Sequence, residues 1–142
     1  MLWVARHQNR HCVLSSFARC NGHHIVIPPT GNYDTILLNW LEHFYGGGTT
    51  YDFPLVTLPK QWSSLEVGKG KADLILLTDG LCSIRKKMER DFIEWKEKEN
   101  CMLRTLIIGA DSTEEIDIVS DHVYSMDSMS LDQDAIRDCM SI

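Results

Sequence analysis

The chain has 142 residues, 44% hydrophobic and 24% charged, with a net charge of −6, the make-up of one globular domain able to bury a core. An acidic balance with pI near 5.4 argues against a surface that follows nucleic-acid phosphates, and no apolar run has membrane-spanning length or a signal-peptide layout. Five cysteines, odd in number and without a Cys-x-x-Cys pair, read as reduced thiols in a cytoplasmic protein rather than a disulfide framework or zinc knuckle.

Met1–His7 reads as the tail of a helix without a capping signal. His11–Phe17 suits a strand, and Asn21-Gly22 signals a turn before a second strand, His23–Ile27. After the break at Pro28-Pro29-Thr30-Gly31, Asp34 is placed to cap a helix running to about Tyr45. Its Ile36, Leu37, Trp40, Leu41 and Phe44 recur at the 3.6-residue period. Asp52 to about Val67 is a weaker helix, with Pro54 tolerated in its first turn and Pro59 a break or kink. Gly68–Lys71 turns into an apolar strand, Asp73–Thr78. Ile84, Met88, Phe92 and Trp95 mark one face of a charged helix over Ser83–Glu99, and Met102–Ile108 is a further apolar strand ended by Gly109. A short helix at Thr113–Val119, a strand at His122–Ser125 and a last helix at Asp132–Met140 follow. Strands alternating with helices, and apolar along their whole length, predict a parallel α/β sheet covered on both faces.

Two stretches carry chemical information. Ala72–Gly80 (ADLILLTDG) is a buried-strand pattern that delivers a carboxylate, Asp79, at its C-terminal end. Gly46-Gly47-Gly48-Thr49-Thr50 is a glycine-rich turn that offers a hydroxyl. Hard cations such as Mg²⁺ take oxygen ligands of these kinds. The ordered set NRHCVLSSFA, LLNWLEHFYGGGTTYDFPL, KADLILLTDG, LRTLIIGA and SDHVYSM resembles the von Willebrand factor A (vWA) family. The likeness is greatest to the bacterial and archaeal CoxE-like and ViaA-like groups that partner MoxR-type AAA+ ATPases, and it spans residues 1–142.

The resemblance implies a Rossmann-like, doubly wound, mainly parallel sheet with helices on both faces. It also implies a metal-ion-dependent adhesion site for Mg²⁺ or Mn²⁺ at the C-terminal strand ends, where ligands are expected in such sheets. The family motifs place the loop hydroxyl at Thr49, with Thr50 as the fallback because Gly-Gly-Thr-Thr stands where the family has Gly-Gly-Thr-Asp. They place the later carboxylate at Asp79. The family's Asp-x-Ser-x-Ser motif is absent; Leu14-Ser15-Ser16 lacks the carboxylate. The chain is therefore expected to begin in the helix after the family's first, central strand, which leaves the metal site incomplete and splits the sheet. Each buried backbone group without a partner costs about 1–3 kcal/mol, against a total stability of about 5–15 kcal/mol.

The implied function is a non-enzymatic, metal-dependent protein-binding module whose partner is a MoxR-type AAA+ ATPase. The rival is a remnant, or a reading frame with a misplaced start, that has no autonomous activity. A thiol enzyme or hydrolase lacks an identifiable base, orienting acid and oxyanion motif. Simpler readings stand beside each signal. Asp79-Gly80 is a common turn pair, and Gly46-Gly47-Gly48 suits a helix C-cap, with no Lys-Ser/Thr to make a P-loop. His7 and His11 have zinc spacing but straddle a helix end, and His23 and His24 point to opposite faces. Cys82 sits near a helix start without a His-plus-acid arrangement, and Leu81 makes the mouth of the site less polar. The run RKKMERDFIEWKEKE reads as a solvated helix face with i,i+4 ion pairs.

Overall fold

The computed structural model describes residues 5, 7–19, 21–43, 47–48, 50–65, 72–109 and 114–126. The expected helix Asp132–Met140 lies outside them, as does Thr49. The chain packs as two compact units, Met1–Phe53 and Pro54–Ile142.

In the first unit, β1 (Cys12–Ala18) and β2 (Asn21–Ile27) form an antiparallel hairpin, with Ala18 opposite Asn21 and Cys12 opposite Ile27. The chain therefore reverses between Ala18 and Asn21, ahead of the Asn-Gly signal, and Arg19 takes the left-handed φ of 54°. Asn21 and Gly22 are strand residues instead. The reason is packing: the Phe53 ring lies against the backbone of Gly22, where a Cβ would overlap it. Upstream, the N-terminal helix ends as its sequence indicates. Asn9 has φ 55°, and the Arg10 amide donates to the Ala5 carbonyl at 2.8 Å, a left-handed C-terminal closure.

Helix α1 spans Asp34–Leu41 and stops short of the expected Tyr45. Asp34 is its first residue rather than its cap; the Asp34 amide donates to Asn32 Oδ1 at 3.0 Å. No side chain of α1 is buried, so its apolar stripe contributes little burial energy. Its end meets the hairpin through stacked His43 and His23 rings, 4.5 Å apart between centroids.

A helical stretch with three successive geometries begins at Phe53. Phe53–Thr57 is a π-helical turn, α2 is Leu58–Gln61, and Trp62–Leu65 is 3₁₀. Pro59 was expected to break or kink this region. The chain instead stays helical by changing pitch, which accommodates a residue without an amide donor. Three strands follow, β3 (Asp73–Thr78), β4 (Met102–Ile108) and β5 (His122–Met126), paired in parallel in the order β3-β4-β5. The intervening helices are α3 (Lys86–Glu99) and α4 (Glu114–Val119). The protein is thus α/β, with a three-stranded parallel sheet flanked by helices. Its described strands form two separate sheets, an antiparallel β1-β2 hairpin and the parallel β3-β4-β5 sheet.

Alternation along the strands sets the core. Leu76 and Thr78 on β3 and Leu103, Thr105 and Ile107 on β4 are buried on one face. Met88 and Phe92 of α3 and Ile116 and Val119 of α4 are buried with them. The other face leaves Leu77 and Ile108 more than half exposed, at 56% and 52%. Helix α3 begins at Lys86, not Ser83, because Arg85 is extended and its side chain makes no capping bond. It ends on Asn100, left-handed at φ 54°, with the Cys101 amide donating to the Lys96 carbonyl at 3.0 Å.

Candidate functional site at the C-terminal end of β3

Asp79 leaves β3 at the C-terminal edge of the parallel sheet and is exposed, directly after buried Thr78. Two short hydrogen-bonded turns fix the segment. The Gly80 amide donates to Thr78 Oγ1 at 3.2 Å, and the Leu81 amide donates to Asp79 Oδ1 at 3.2 Å. The second bond is an Asx-turn, in which the carboxylate caps its own following backbone. Gly80 has φ 73°, a left-handed angle that a residue with a Cβ adopts only at a cost. Asp79 is therefore held by local backbone geometry, with Oδ2 free of partners among the described residues. Leu81 beside it is 76% exposed, the least polar feature of the rim.

Thr49 lies outside the described residues. Thr50, the fallback hydroxyl, belongs to the first unit, and its Oγ1 is buried with no hydrogen-bond partner among the described residues. The glycine run has a structural role in that unit. Gly47 has φ 128° and lies against the Arg19 side chain, while the Gly48 carbonyl accepts the Arg19 amide at 3.1 Å. Among the described residues, no three His, Cys, Asp or Glu side chains cluster as a metal centre would require. Mg²⁺ keeps near-octahedral oxygen coordination and gives up its waters reluctantly. Among the described residues, this strand end offers one carboxylate, with one oxygen already capping a turn, which is short of that donor set.

Three cysteines, Cys12, Cys82 and Cys101, are free thiols among the described residues. Burial pushes Cys12 upward, and burial followed by the negative charges of Glu99 and Asp73 pushes Cys101 upward; both lower the thiolate fraction that nucleophilic attack requires. Cys82 Sγ lies 3.4 Å from the Ser83 carbonyl. His7 and His11, the pair with zinc spacing, are both exposed, one in the terminal helix and the other just before β1.

The sequence reading missed a buried ionic latch on the opposite side of the sheet. Lys96, in the run expected to be a solvated face, is only 7% exposed. Its Nζ donates to Asp121 Oδ2 at 2.7 Å and to the Val119 carbonyl at 2.9 Å. Asp121 Oδ2 also accepts the Leu103 amide at 2.7 Å, and the Asp121 amide donates to the Leu103 carbonyl at 2.8 Å. Burial alone would raise the Asp121 carboxyl; the hydrogen bonds from Lys96 and Leu103 and the Lys96 charge overcome it and hold the group below its ordinary value. The signal was available, because Lys96 lies four residues after Phe92 and so shares its inward face. This latch ties α3, β4 and the entry to β5 together, and it is structural.

No family model matches the chain, and no solved structure matches it. The uncharacterized protein MJ0811 of the archaeon Methanocaldococcus jannaschii is 27% identical over 101 residues, covering 71% of this chain and 23% of that protein. The chain thus spans about a quarter of the length of this relative.

Proposed function

We propose that this chain is a non-enzymatic protein-interaction module of the vWA type, and that it partners a MoxR-type AAA+ ATPase through a metal-dependent contact at the end of β3. One observation carries the reading: Asp79 projects from the C-terminal end of a parallel strand, exposed and held by its own Asx-turn, with one oxygen free of partners among the described residues. That is the sheet edge at which α/β folds of this kind receive ligands. The ordered motifs around it support the same assignment. Asp79 supplies one coordinating oxygen, and the remaining oxygens come from outside the described residues or from the partner. An acidic side chain of the ATPase suits an open position on such an ion.

The Asp79→Ala variant tests this. Only one exposed turn bond is lost, so the circular dichroism spectrum and melting temperature should match those of the parent. Capture of the ATPase in the presence of Mg²⁺ should fall by more than about tenfold, or 1.4 kcal/mol. Unchanged capture by a folded variant would refute the role given to Asp79.

A further inference from the structure

We draw no further inference here: the strongest candidate, the apolar face of the β3-β4-β5 sheet on which Leu77 and Ile108 are exposed, carries nothing because nothing in the structure shows what covers it.

Discussion

Removing either end of the Lys96–Asp121 latch should destabilise the second unit, but by unequal amounts. In Asp121→Ala, the Lys96 ammonium stays buried with the Val119 carbonyl as its remaining described acceptor, and the Leu103 amide loses the carboxylate it donates to. Leaving one charge of a fully buried pair uncompensated costs about 3–5 kcal/mol. The Asp121 side chain is 38% exposed, so water replaces part of what is lost, and the expected cost falls to about 2–3 kcal/mol. Lys96→Met keeps the apolar stem and removes the buried charge. Asp121 then remains hydrated and still accepts the Leu103 amide, for an expected cost of about 1 kcal/mol. Urea unfolding followed by tryptophan fluorescence measures both, because Trp95 lies one residue from Lys96 and packs edge-on against Trp62. The pH dependence has a definite sign. Asp121 is depressed from an ordinary value of 3.8, so its contribution is present above that value and disappears as pH falls through the lower folded one. A Lys96→Met variant at least as unstable as Asp121→Ala would refute this asymmetry.

Three further outcomes follow from local geometry. Gly22→Ala forces the Phe53 ring off the hairpin backbone, and Phe53 is buried; overpacking of this kind costs about 1–3 kcal/mol, visible as a lower melting temperature. Asn100→Ala puts a less tolerant residue at φ 54° and should cost about 1 kcal/mol, whereas Asn100→Gly should be neutral or stabilising in the same melt. Cys12 and Cys101, both raised, should react with iodoacetamide at pH 8 more slowly than a free thiol in a peptide; equal rates in the folded chain would contradict their assigned burial.

Legibility in the sequence followed how local the determinants were. Strand β4 was readable to the residue, because its apolar run is bounded by a left-handed Asn100 and by Gly109 at φ 78°. Both stops are intrinsic to those residues. The hairpin turn was misread because a long-range contact, Phe53 on Gly22, outweighed the local Asn-Gly preference. The start of α3 was misread because Ile84 continues the apolar period of Met88 and Phe92, yet it is buried ahead of an extended Arg85. Asp79 could be placed at a strand end from pattern alone, since strand and turn are contiguous. Co-ligands are not legible from such a local pattern, because a metal's donors converge from distant segments. The inward position of Lys96 was legible from its spacing to Phe92, but its partner Asp121 stands 25 positions along the chain, beyond any local pattern.

The central claim is a metal-dependent contact with a AAA+ partner, and affinity measured by titration calorimetry addresses it most directly. The full chain is titrated into a MoxR-type ATPase in Mg²⁺ and again in EDTA. The account predicts association in Mg²⁺ that weakens at least tenfold on chelation, with the same loss in Asp79→Ala. It also predicts that the chain alone takes up Mn²⁺ more weakly than about 10⁻³ M, looser than sites with a full set of oxygen ligands. Association indifferent to chelation, or no association in Mg²⁺, would contradict it.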